Sequence, residues 1–290
     1  MRARFRLTAS AVAFATALPL LAQAQDSGRL LATSGVTQIE GAAGGGLVPW
    51  ALITGYGTRD AIGANAHYTF DALPNFTLHD AGASIGLYDQ LELSYTHLWF
   101  NTGSTGARLG LGAGYQFQLD VVGAKLRLLG DVVYDQDNWL PQIAVGAQYK
   151  ASENANVLRA IGARGADGTD FYLSATKLLL AESLLLNATV RATKANQFGL
   201  LGFGGDRHDG YSAQFEGSAA LLLRRDFAIG AEIRTKPDNL GFAREGTAYD
   251  VFAAYFFNKN LSATLAFTAL GPVANQGNQN GVYLSLAGGF

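Results

Sequence analysis

The chain has 290 residues, of which 49% are hydrophobic and only 15% charged, with 36 glycines and no cysteine. Soluble domains carry about a quarter charged residues, and the supply of apolar and aromatic residues excludes a disordered polymer. The lack of thiols excludes a disulfide framework, a cysteine-based metal site and a cysteine nucleophile, and a net charge of −2 offers nothing to nucleic acid.

The first element is a leader. Arg2, Arg4 and Arg6 precede an apolar run over 7–21, followed by Ala22-Gln23-Ala24. Residues 1–24 therefore read as a secretory signal peptide cleaved before Gln25, and Pro19 with the small-residue site argues against an uncleaved anchor. Its removal leaves 18 basic against 23 acidic residues, a net charge of −5. After residue 24 no apolar run approaches the roughly 18 residues of a spanning helix. The longest, around 177–190, is broken by Glu182 and Asn187. An exported chain this apolar must place its apolar surface some other way.

Residues 25–60 form a glycine-rich segment containing "IEGAAGGGLVPWALITGYG". It has no G-x-x-x-x-G-K-[ST] pattern and no strand–glycine–helix context, so a nucleotide loop is not indicated. Glycine permits close backbone approach. The segment is expected to fold into the lumen or periplasmic mouth of the structure formed by the rest of the chain, with Trp50 as an anchor. A first strand preceded by a flexible leader is the alternative.

Residues 61–290 alternate. Leu184, Leu186, Ala188, Val190 and Ala192 interleave with Leu185, Asn187, Thr189, Arg191 and Thr193. Val122, Ala124, Leu126 and Leu128 interleave with Gly123, Lys125 and Arg127. A period of two is a strand with one apolar and one polar face. The pattern gives twelve strands, about 61–71, 76–88, 90–100, 118–129, 140–151, 169–180, 183–194, 213–224, 227–236, 248–257, 260–269 and 281–290. A soluble sandwich also alternates. These strands, however, approach the 9–11 residues of a tilted transmembrane strand, and their polar faces are rich in Gly, Ala, Ser, Thr and opposed charges, which suits a wet lumen.

Short turns near 88–90, 181–183, 225–226 and 258–260 alternate with longer loops at 101–116, 152–168, 195–211, 237–246 and 271–281. That is the rhythm of an outer-membrane barrel, although the connection 130–138 is long for its class. The fold class is all-β: a closed antiparallel transmembrane β-barrel of about 12 strands, even-numbered, with both ends on the periplasmic side. Closure satisfies the backbone groups that lipid cannot. Tyr68, Phe70, Tyr88, Trp99, Tyr149, Tyr249 and Phe257 fall near strand ends, where interfacial girdles form. The terminal "GVYLSLAGGF" places Val282, Leu284, Leu286 and Phe290 on one face. It resembles the C-terminal signal by which barrel-insertion machinery recognises its clients.

The polar faces carry Glu92, Lys125, Arg127, Arg191, Glu216, Arg224, Glu232, Arg234 and Asp250 as candidate lumen-lining residues, with Asp71, Asp80, Lys150 and Lys236 beside them. Mixed signs either create a field for passing solutes or pair into a network that fills the lumen; strong ion selectivity is not expected. Phe198, Leu200, Leu201 and Phe203, in the loop 195–211, are too apolar for water. With Trp50 they are candidates for a plug or constriction, and packing on neighbouring loops or in the outer leaflet is the alternative. His79 and Ser84 raise the possibility of a lipid hydrolase in the barrel wall, but adjacent His79 and Asp80 face opposite ways on a strand. Four scattered histidines make no metal site, and no catalytic residue or cofactor is expected.

Four stretches, "TQIEGAAGGGLVPWALITGYGTRD", "YDQDNWLPQIAVGAQYK", "LNATVRATKANQFGLLGFGGDRH" and "AEIRTKPDNL", resemble a family of uncharacterised exported Gram-negative proteins, domain of unknown function 3034. The likeness spans most of the mature chain and brings no activity with it. The architecture also resembles outer-membrane channels associated with uptake of phenols and other aromatic compounds. Together these features predict a narrow passive outer-membrane channel for small solutes, hydrophobic or aromatic ones included. Expected partners are outer-membrane lipid, lipopolysaccharide and the insertion machinery. A closed barrel with a structural or surface-interaction role is the alternative, and a lipid-modifying hydrolase the third.

Overall fold

Alternation over ten or so residues leaves each strand with one face for lipid and one for a lumen, and only a closed sheet pairs all the backbone groups between them. The computed structural model describes residues 29–290; the expected signal peptide and residues 25–28 lie outside the described part. Two short strands come first, β1 (Val36–Thr37) and β2 (Ala43–Gly44), paired antiparallel. The first six barrel strands are β3 (Ile62–Ala72), β4 (Thr77–Leu87), β5 (Leu91–Asn101), β6 (Gln116–Leu129), β7 (Gln142–Ser152) and β8 (Asp167–Leu179). The remaining six are β9 (Leu184–Thr193), β10 (Ser212–Arg224), β11 (Phe227–Arg234), β12 (Ala248–Asn258), β13 (Leu261–Val273) and β14 (Gln276–Gly289). Each of these twelve pairs with its chain neighbours, and β14 pairs with β3 from Val282↔Ala72 to Gly289↔Asn65, closing the barrel.

The faces sort as the sequence pattern demands. On β6, Val122, Leu126 and Leu128 are exposed outward while Phe117, Leu119, Val121 and Lys125 are buried inward. Outward aromatics gather near the two rims, with Tyr149, Phe171, Phe215 and Tyr249 toward one and Tyr88, Tyr255 and Phe257 toward the other; Leu, Val and Ile lie between. His79 and His97 break the apolar outer face near the long-loop rim. His79 is 2.6 Å from the Tyr68 hydroxyl and His97 is 2.8 Å from Asp120.

One end of the barrel carries the short turns and both described chain ends; the other carries the longer loops, including α1 (Gly103–Arg108) and α2 (Ala155–Ala160). The loop expected over 271–281 is not there. Strands β13 and β14 run on through it to a two-residue turn at Ala274 and Asn275, both with positive φ (47° and 60°). That is the conformation of a primed hairpin turn, whose twist matches its strands. Gly, Pro and Asn made the stretch read as loop, but pairing overrides that preference, with register irregularities absorbing Pro272.

Candidate functional site: the occupied lumen

Residues 36–57 lie buried inside the barrel. A chain segment there must satisfy its own backbone groups, and the wall supplies the partners. The Ala43 and Thr54 N–H groups donate to Glu92 at 3.1 and 2.8 Å. Lys125 donates to the Ala43 and Trp50 carbonyls at 2.9 and 3.1 Å and sits 3.1 Å from Glu92. Leu47 N–H donates to Glu232 at 2.6 Å, and the Trp50 indole N–H donates to Ser218 Oγ at 2.9 Å. Ser174 and Thr189 hydroxyls donate to the Pro49 carbonyl at 3.1 and 3.0 Å. At the short-turn rim, Arg29 donates to Asp89 at 2.8 Å and to the Gly55 carbonyl at 3.1 Å. The chain end joins in: Tyr56 N–H donates to the Phe290 carbonyl at 2.8 Å.

Glycine makes this fit possible. A Cβ on Gly45 would stand 1.9 Å from Glu232 Oε1, and one on the wall's Gly86 would stand 2.3 Å from the Thr54 carbonyl. Neither position has room for a side chain.

The centre of the attachment is Glu40, fully buried. Its carboxylate accepts from Lys150 at 2.5 Å and from both terminal nitrogens of Arg234 at 2.9 and 3.1 Å, with Arg191 3.8 Å away. Lys150 and Arg191 share Asp170 at 2.6 and 3.4 Å, and Arg191 and Arg234 share Glu216 at 2.5 and 3.2 Å. Three cations thus meet three carboxylates, one of them from the inner segment. Burial opposes the charge on Glu40, but the fields of Arg234, Lys150 and Arg191 outweigh it and hold its pKa well below the usual carboxylate range.

The loop 195–211 folds inward above this network. The Phe198 carbonyl accepts from Lys150 at 3.2 Å, and its ring lies 4.4 Å from the Arg234 guanidinium and 5.2 Å from Lys236. Leu200, Leu201 and Phe203 are buried with it. Lys236 pairs with Glu245 at 3.1 Å; burial lowers the pKa of the lysine and raises that of the acid.

Among the expected lumen residues, Glu92, Lys125, Arg191, Glu216, Glu232, Arg234 and Asp250 are buried on inward faces. Glu232 and Asp250 face each other across β11 and β12. Arg127 belongs to the short-turn rim, bound to Asp89 and to Asp131 at 3.0 Å. Arg224 is a correction. It stands past a register shift at the end of β10, its side chain 68% exposed, 2.9 Å from Asp226; the shift breaks the parity count, and the next residue, Arg225, borders the lumen instead. Ser84 and His79 do not meet. Ser84 is inside, 2.8 Å from the Thr54 hydroxyl, and His79 is outside on Tyr68.

Two members of the Glu40 network escaped the sequence reading. Asp170 gave no signal beyond its inward parity. Glu40 did: it is the only Asp, Glu, Lys or Arg between Arg29 and Arg59, and a lone charge in an apolar, glycine-rich segment needs a buried partner.

The lumen is not polar throughout. Toward the short-turn rim its wall turns apolar, and between that wall and the inner segment lies a cavity of about 450 Å³. Trp50 and Leu52 of the segment face Leu178, Leu185, Phe252 and Phe256 of the wall across it, with Arg225 among the lining residues.

A family model described as "Protein of unknown function (DUF3034)" matches residues 33–287. No curated protein sequence matches the chain. Among solved structures it is similar to a KdgM porin (12% identity, 78% of this chain and 99% of that one, TM-score 0.50). It is also similar to a NanC porin (10% identity, 78% and 98%, TM-score 0.51). An outer-membrane channel from Pseudomonas putida F1 aligns with 13% identity over 84% and 97% at TM-score 0.46. At these identities the likeness is one of fold: the barrel is of the outer-membrane type.

Proposed function

Because the chain belongs to the DUF3034 family of proteins of unknown function, its role has to be read from the lumen, and we propose a passive outer-membrane channel for small hydrophobic solutes, aromatic ones included. Its own residues 29–57 close the lumen in this state. The observation that carries the solute class is the apolar cavity beneath the inner segment. A lumen that only needed to be wet or sealed has no use for an open apolar chamber, whereas small-molecule sites are mostly apolar concavities of about 300–1,000 Å³. The segment is fastened by polar and ionic contacts, which can exchange with water once it shifts, beside the apolar burial of Ile39, Leu47, Val48, Trp50 and Leu52. The short-turn end is the periplasmic end in this reading, and the inward-folded loop 195–211 narrows the opposite mouth.

The dense bonding of the segment favours a second reading, a permanently closed barrel with a structural role. Planar-bilayer conductance separates the two. The full chain should show rare discrete steps, and a variant lacking residues 25–58 should show larger and more frequent ones. Silence from both, with folding shown by heat-shifted gel mobility, overturns the channel reading in favour of the closed barrel.

A further inference from the structure

The cavity also bears on the chemistry of its occupant. Its wall offers hydrocarbon almost everywhere: Trp50, Leu178, Leu185, Phe252 and Phe256 surround it. The one ring N–H that a ligand could otherwise use, on Trp50, is already given to Ser218 at 2.9 Å. The Thr33 hydroxyl is given to the Leu30 carbonyl at 2.7 Å, and the charged exception is Arg225, solvent-exposed in the turn between β10 and β11. Four other arginines near this rim each hold a carboxylate: Arg29 on Asp89 at 2.8 Å, Arg59 on Asp131 at 3.5 Å, Arg127 on Asp89 and Asp131, and Arg224 on Asp226 at 2.9 Å. Among the described residues no carboxylate pairs with Arg225, and it is the arginine that borders the cavity.

We propose that this cavity binds a small amphipathic carboxylic acid, its apolar body against Trp50, Phe252 and Phe256 and its carboxylate on Arg225. The assignment rests on the solute class proposed above and narrows it. A neutral hydrocarbon would leave Arg225 unused, and a zwitterion would bring an ammonium group to a wall that has no anion for it. A planar guanidinium at the edge of an apolar chamber is the group that recognises a carboxylate in two-pronged fashion.

Trp50 supplies the readout. Of the other two tryptophans, Trp99 is on the outer side of β5 and Trp139 is 87% exposed; replacing both with Phe leaves Trp50 as the only indole, excited selectively over tyrosine. The probe is 11-bromoundecanoic acid, whose bromine quenches indole fluorescence, beside the matching bromo-alcohol. In detergent-solubilised full chain, the acid should quench Trp50 saturably and the alcohol should need a several-fold higher concentration. Arg225→Ala should raise the half-saturating concentration of the acid about fivefold, as loss of one charge-assisted contact at a partly hydrated site implies, and make acid and alcohol alike. Ala254→Phe, or separately Ala220→Phe, fills the chamber from the wall and should abolish saturable quenching in a barrel that keeps its heat-shifted mobility. Equal quenching by acid and alcohol in the parent protein, or quenching indifferent to all three substitutions, overturns the proposal. Conductance with no saturable binding would leave the channel reading standing without this site. Binding without conductance would do the reverse.

Discussion

Replacing Glu40 with Gln removes one charge from the centre of the inner segment and changes little else in shape. The carboxylate now receives two bonds from Arg234, one from Lys150 and one from the Gln38 amide at 2.9 Å. The amide retains one acceptor oxygen and turns an N–H₂ toward groups that are themselves donors. Lys150, Arg191 and Arg234 are then left facing two carboxylates, Asp170 and Glu216, in a site without water access. Breaking a buried ion pair by removing one partner costs about 3–5 kcal/mol. If that cost falls on docking of the segment, the undocked-to-docked ratio rises by about two to four orders of magnitude. Limited proteolysis reports it directly, because cleavage within 36–57 requires undocking, and bilayer recording should show a matching rise in open time. Protection and conductance both unchanged would refute the argument that Glu40 holds the segment. The pH dependence has a definite sign. Because the folded pKa of Glu40 lies below its ordinary value of 4.5, its contribution is complete above that value and is lost as pH falls toward the folded pKa. The parent protein should hold its segment at neutral pH and loosen it only in strong acid, whereas the Gln variant should be loose at both.

Other substitutions test neighbouring parts of the same picture. Gly45→Val puts a branched side chain where Glu232 already stands, and overpacking of this kind costs about 1–3 kcal/mol; protease sensitivity of the segment should rise while the barrel itself stays folded. Arg224→Ala should change thermal stability by no more than about 0.5 kcal/mol, since an exposed pair with Asp226 is all it loses; a larger effect would show that this arginine acts inside the lumen after all. Deleting Phe290 removes its bond to the Ala64 carbonyl at 2.9 Å and the bonds its own carbonyl accepts from Ala64 at 3.1 Å and Tyr56 at 2.8 Å. At about 0.5–1.5 kcal/mol each, the heat-modification midpoint should fall measurably.

Much of this architecture was legible in the order of residues. A side chain's face on a strand follows from its parity, so the inward positions of Glu92, Lys125, Arg191 and Arg234 could be counted off, and most strand ends fell within two residues of the structure. Parity holds only along an unbroken ladder, and the register shift between Leu222 and Arg224 turns Arg224 away from the lumen that its even number predicts. Local composition also misled at Pro272 and Asn275, where a hairpin with nowhere else to pair extends its own ladder instead of forming a loop. Parity also separates His79 from Asp80, which lie on opposite faces of β4.

By itself the sequence determined a barrel: a period of two repeated twelve times, in a chain with no thiols and no helical span, has one arrangement that leaves no backbone group unpaired in lipid. What fills that barrel was decided only in three dimensions. Glu40 reaches Lys150, Arg191 and Arg234 from more than a hundred residues away in sequence, and the apolar chamber exists because Trp50 and Phe252, from distant parts of the chain, meet across a gap. Alternation is a local property, enforced residue by residue; the complementarity of a segment to the inside of a cylinder is fixed only when the cylinder closes.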